Sequence, residues 1–131
     1  MEGFTPMEVL TGGTTLSVTN NGLNFNYNVA VKIKRPKYVL LLQNENQKKI
    51  AIQACNQEDT NAIVFVKDEN KIKNGIRIHN RDIEQTIEAL MDWNLDQFNY
   101  KVDGVYSVED GAVIFDLKRA RKFTKKNYSK Q

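Results

Sequence analysis

The chain has 131 residues, 40% hydrophobic and 27% charged, with a single cysteine and a formal net charge of +3. That composition belongs to a folded globular chain and excludes disordered and collagen-like classes, while the lone Cys55 excludes an internal disulfide. The charge is uneven: 118–131 hold seven basic residues and no acid, so 1–117 carry 3 − 7 = −4, with the acid excess in 58–117.

In chain order, Thr11-Gly12-Gly13 reads as a lead-in loop, and 14–18 alternate as a strand. Thr19-Asn20-Asn21-Gly22 is a hairpin signal, because asparagine and glycine both tolerate positive φ. The run 23–25 alternates again, which places Leu16, Val18, Leu23 and Phe25 on one face. Asn26 or Asn28 caps a short helix over about 27–34, and Pro36 ends it. Residues 37–42 form a nearly continuous apolar run, the pattern of a strand buried on both faces. Asn44-Glu45-Asn46 is turn chemistry, and 48–54 alternate to close a second hairpin.

The polar stretch 56–61 is a junction, followed by a strand at 62–66, a charged loop at 67–73 and a strand at 76–78 after Asn74-Gly75. Asn80 caps a helix predicted over 81–93, whose apolar stripe is Ile83, Ile87, Leu90 and Met91. Phe98, Tyr100 and Val102 alternate, and 105–108 continue strand-like past Gly104. Glu109-Asp110-Gly111 is a turn, and 112–117 form the closing strand. Trp93, Leu95 and Phe98 are expected to pack the end of the long helix, with a partner surface as the alternative.

These elements predict an α+β, mostly β fold in one compact domain, 1–117, with a basic C-terminal tail at 118–131. The domain reads as two similar strand–strand–helix–strand–strand halves, about 14–55 and 62–117, forming a barrel-like core. Asn21-Gly22-Leu23-Asn24-Phe25 matches Asn74-Gly75-Ile76-Arg77-Ile78. One such unit cannot enclose a core by itself, whereas two that exchange hairpins can.

The element order resembles the SpoVT/AbrB-like swapped-hairpin family, best over 14–54 and more loosely in the second half. The resemblance implies a small bacterial DNA-binding domain in which two units interlace, here both supplied by one chain. The family carries an arginine after the turn glycine and a proline at the end of the second strand. This chain has Leu23 and Asn26 at those places, and Ile76 after Gly75. The family's helix is often basic, which Lys32 and Lys34 match and Glu84 and Glu88 do not.

Lys32, Lys34, Arg35 and Lys37 form the densest basic cluster of the folded part, suited to phosphate contact or to a solvated helix end. In the tail, Lys118, Arg119, Arg121, Lys122, Lys125 and Lys126 interleave with Phe123 and Tyr128. Cations among aromatics suit exposed bases, and they equally suit the chain's own acidic middle or an acidic protein partner. Cys55 and His79 would need mutual contact and an orienting third group to act together, and Cys55 reads first as a small core residue. Asp103, Glu109 and Asp110 read as turn residues without calcium-loop spacing. No phosphate-cradling glycine loop, zinc spacing or nucleophile elbow occurs, so no metal or cofactor is expected and the chain is not read as an enzyme.

The function expected from sequence is a non-enzymatic DNA-binding or transcription-regulator-like protein of bacterial or phage type. The alternative is a protein-interaction or structural accessory module whose basic tail docks an acidic partner. A homodimer is compatible with either. No apolar run approaches the roughly 20 residues of a membrane-crossing helix, and residues 1–6 lack a secretion pattern. A cytoplasmic location without a membrane partner is therefore expected.

Overall fold

Leu16, Val18, Leu23 and Phe25 are all fully buried, on one face of the hairpin of β1 (Thr15–Thr19) and β2 (Gly22–Phe25). The computed structural model describes residues 1–7 and 12–125. The hairpin loop is Asn20 and Asn21, and of the turn residues only Gly22 takes a positive φ, +131°. The asparagines therefore do not use the left-handed freedom expected of them. What demands glycine is a close approach: a Cβ on Gly22 would lie 2.7 Å from the Ile78 carbonyl oxygen.

Asn26 caps α1 (Tyr27–Lys32), its Oδ1 accepting from the N–H groups of Val29 at 3.3 Å and Thr15 at 3.1 Å. Asn28 is instead buried and donates to the Gly12 and Gly13 carbonyls. The helix stops two residues before the predicted end. Lys34 and Arg35 turn left-handed, with φ 71° and 51°. Their N–H groups donate to the Val31 and Ala30 carbonyls at 3.0 and 2.7 Å, the paired bonds of a Schellman end. Lys34 stands where glycine is usual, so Lys34→Gly is expected to add about 0.5–1 kcal/mol of stability. Urea unfolding measures this, and a loss of stability would contradict the left-handed end.

β3 (Tyr38–Asn44) and β4 (Lys49–Cys55) pair from Tyr38↔Cys55 to Asn44↔Lys49. The apolar run is not buried on both faces, since Val39 faces the core while Leu42 is 43% exposed. Cys55 is half-buried opposite Tyr38 rather than in the core. The predicted strand at 62–66 is regular only as β5 (Ile63–Val64), beside β3, although Phe65 and Val66 still donate to the Lys37 and Pro36 carbonyls. The charged loop contains a 3-10 turn, Glu69–Lys71, and β6 (Ile76–Ile78) pairs with β2.

Asn80 caps α2 (Arg81–Met91), which ends at a left-handed Asp92 rather than at Trp93. Ile87 is buried, and Ile83, Leu90 and Met91 are partly buried against the core. Leu95 is buried beyond the helix end, and Trp93 stacks on Tyr100 with centroids 3.8 Å apart.

β7 (Phe98–Ser107) runs ten residues and joins the two parts of one sheet. Its first part pairs with β1, and its second part, from Gly104, pairs with β8 (Ala112–Asp116), which also pairs with β4. Gly104 permits the crowding, because a Cβ there would lie 2.6 Å from the side chains of both Phe115 and Val113. Asp103 lies within this strand rather than in a turn. Leu117 leaves the closing strand to begin a 3-10 turn, Leu117–Arg119, which leads to β9 (Arg121–Thr124) on β7. The basic segment thus enters the sheet at least as far as Thr124, where a tail was expected.

The strand order is β5-β3-β4-β8-β7-β1-β2-β6, with β9 added to β7. The result is a mostly β, α+β fold: an open, curled antiparallel half-barrel with two helices. Inside the curl, the Phe25 ring meets Phe65 edge-on and Phe115 at a tilt, both with centroids 5.8 Å apart. Among the described residues, no helix is long and apolar enough to cross a membrane.

Candidate nucleic-acid interface

Strand alternation sorts the side chains of β7. Tyr100 and Val102 are buried, so Lys101 and Asp103 face outward. Register then carries this outward position sideways across five strands. Arg121 lies opposite Lys101, Lys101 opposite Ser17, Ser17 opposite Asn24, and Asn24 opposite Arg77. The flanking residues on the β1, β2 and β6 members of this row are buried hydrophobics. The row is therefore polar throughout, with cations at both ends, and Arg77, Lys101 and Arg121 are exposed. Beside it, Phe123 lies opposite Asn99 and is 48% exposed.

Arg121 is anchored by Asp103, with its Nη1 at 3.0 Å and Nη2 at 3.4 Å from the two carboxylate oxygens. That bond holds the Asp103 carboxyl below its ordinary range. The pair therefore contributes fully above the unfolded carboxyl value of about 3.9 and loses its contribution as pH falls through the lower folded value. Protection of the β9 amides against hydrogen exchange is expected to hold from about pH 7 to 5 and to drop below about 4. Asp103→Asn should lower protection at neutral pH and remove most of that step. An unchanged acid step in the variant would contradict the anchoring.

The sequence-predicted cations fall into separate places. At the end of α1, Lys32 lies 5.7 Å from the Tyr106 ring centroid and Lys37 5.9 Å from that of Tyr38. Arg35 donates to the Tyr27 hydroxyl at 2.6 Å, and Lys34 is exposed at the left-handed corner. Lys118 Nζ meets the Asp116 carboxylate at 2.9 Å and the Gln47 carbonyl, and Arg119 approaches Asp116 at 3.8 Å. Lys118 is thereby paired within the fold, while Arg119 stays largely exposed. Lys122 lies 4.2 Å from the Phe98 ring centroid, and the Lys125 N–H donates to the Gln97 carbonyl. Lys126 lies outside the described residues. The two clusters approach β7 on either side of Gly104, at Tyr106 for Lys32 and at Asp103 for Arg121.

No family model, curated protein or solved structure matches the chain. The reading of the site therefore rests on its own geometry.

Arg77 and Lys101 were not singled out from the sequence. Alternation marks each as outward-facing, but only lateral register joins them in one row. Cys55 and His79 have different neighbours: burial and the Asp59 carboxylate push the Cys55 thiol up, while His79 Nε2 lies 3.7 Å from the buried Glu84 carboxylate. Among the described residues, no group of three or more histidine, cysteine or acidic side chains could hold a metal ion.

Proposed function

We propose that this chain is a non-enzymatic DNA-binding protein of the transcription-regulator type, holding the nucleic-acid backbone across the outer face of β9, β7, β1, β2 and β6. The observation that carries this reading is the lateral row Arg121–Lys101–Ser17–Asn24–Arg77. Adjacent strands lie about 4.8 Å apart, so the row spans roughly 19 Å. Arginine and lysine neutralise phosphates, serine and asparagine donate to phosphate oxygens, and the half-exposed Phe123 offers a ring to an unpaired base. Lys32, Lys34, Arg35 and Lys37 at the α1 end, with Lys125 and Lys126, add sequence-independent attraction.

The same proposal includes a fused pair of strand–strand–helix–strand–strand units, as the swapped-hairpin resemblance implies. Several registers support it. Between β2 and β6, Leu23↔Ile78 and Phe25↔Ile76 flank Asn24↔Arg77 symmetrically. A Cβ on Gly22 would meet the Ile78 carbonyl, and one on Gly75 would meet the Phe25 carbonyl at 2.9 Å. Val39 lies beside Ile63 as Val102 lies beside Leu16. The hairpins close alike at Asn44↔Lys49 and Ser107↔Ala112.

A second reading, a protein-interaction module, is favoured by one observation. Leu42, Ala51, Ile114 and Val105 form a lateral apolar row on the outer face of β3, β4, β8 and β7, and Val105 is 72% exposed. The first reading is tested by fluorescence anisotropy with a labelled 20-mer duplex and its single strand. Three phosphate contacts predict an affinity about 40-fold weaker at 200 mM than at 50 mM salt. Absence of binding at 50 mM, or binding indifferent to salt, would overturn the reading.

A further inference from the structure

The curled sheet brings its two edges toward each other without joining them. β5 is one edge and β6 the other, and no backbone hydrogen bond links 63–66 to 76–79 among the described residues. A cavity of about 570 Å³ lies between these edges, lined by Val64 and Phe65 on one side and Ile76 and Ile78 on the other. A second cavity of about 470 Å³ continues under α2, lined by Leu41, Ile83 and Ile87 among others. Ile63 and Asn80 line both cavities, so the two form one groove.

We propose that this groove is a strand-addition site for an extended segment of another protein, with an apolar side chain under α2 followed by acidic residues. Three features argue for that occupant. A sheet edge presents peptide N–H and C=O groups that a third strand satisfies. The equivalent position in the first half is closed by direct pairing of β1 with β2, a step that rests on the two-halves reading above. The charges fit as well. Lys67 and Lys71 line the inter-edge cavity, and its acid, Asp68, already caps the 3-10 turn by accepting from the Asn70 N–H at 3.0 Å. Asp82 lies on the α2 side, away from these lysines, where the apolar anchor enters.

Arg77 lines this cavity as well as ending the proposed nucleic-acid row, whereas Lys67 and Lys71 belong to the cavity alone, so substitutions at these two lysines separate the two sites. The test uses the full chain and three labelled nonapeptides: a leucine followed by alternating glutamate and valine, the same peptide with lysine for glutamate, and the acidic peptide N-methylated at alternate amides. The acidic peptide is expected to bind at least tenfold tighter than the lysine peptide, and N-methylation is expected to abolish binding. Binding should slow amide exchange at 63–66 and 76–78. The exposed double variant Lys67→Glu/Lys71→Glu should bind the acidic peptide at least tenfold more weakly while still binding DNA. No binding of the acidic peptide, equal binding of both charges, tolerance of N-methylation or unchanged exchange at the edges would each overturn the proposal. A loss of DNA binding in the wild-type chain, with peptide binding intact, would overturn only the nucleic-acid reading.

Discussion

Gly22→Ala is expected to remove about 3 kcal/mol of unfolding free energy, and Gly75→Ala about as much. Two costs combine at each site. The φ values of +131° and +100° lie where side chains are rarely tolerated. The added methyl would also sit 2.7 Å from the Ile78 carbonyl oxygen in one case and 2.9 Å from that of Phe25 in the other. Those oxygens belong to the paired strands β2 and β6, so neither can yield without disturbing the ladder. Gly111 is the control. Its φ is +60°, but nothing lies within 4 Å of an added Cβ, so Gly111→Ala should cost only about 1 kcal/mol. Urea unfolding of the three variants decides the matter. Equal losses at Gly22 and Gly111 would mean that the β2–β6 approach is not tight.

The triple variant Arg77→Gln/Lys101→Gln/Arg121→Gln is expected to bind DNA about a hundredfold more weakly at 100 mM salt. Each lost phosphate contact should also lower the slope of log affinity against log salt by about 1. The three side chains are exposed, so glutamine there should change stability by no more than about 0.5 kcal/mol per site, apart from the modest Arg121–Asp103 pair. Lys118→Gln/Arg119→Gln is the comparison, because both cations lie on the 3-10 turn before β9 and outside the row. It should lose less than about threefold. If the second variant loses as much as the first, binding follows net charge rather than the sheet face.

Local chemistry was the most readable part of the sequence. The first hairpin, the asparagine caps and the stripe of α2 depend on residues within a few positions of one another, and the structure has each of them. What the sequence did not display depends on partners far along the chain. The end of α1 carries Lys34 in a left-handed position with no glycine to announce it. Residues 37–42 look doubly buried because their apolar run is continuous, yet the outer face leaves Leu42 43% exposed. β9 looks like a tail because it is charged, and its place is fixed by β7 and by the Asp103 carboxylate.

The candidate interface divides in the same way. Arg121 and Lys122 stood out as members of a charge run. Lys101 and Arg77 each sit alone in a strand, and only the pairing of β9, β7, β1, β2 and β6 aligns them. Register across strands is set by packing on the buried face, here by Leu16, Val18, Leu23, Phe25 and Val102. A polar row on the opposite face is a consequence that single-strand periodicity cannot reveal.

The most direct test of the central claim is an amide chemical-shift map of the full chain titrated with a 20-mer duplex and, separately, with its single strand. The proposed interface predicts the largest shifts at Arg77, Lys101, Arg121 and Phe123, with Ser17 and Asn24 between them and little change on β3 and β4. Shifts confined to 32–37, or to residues beyond 125, would place binding elsewhere and contradict the role given to the sheet face.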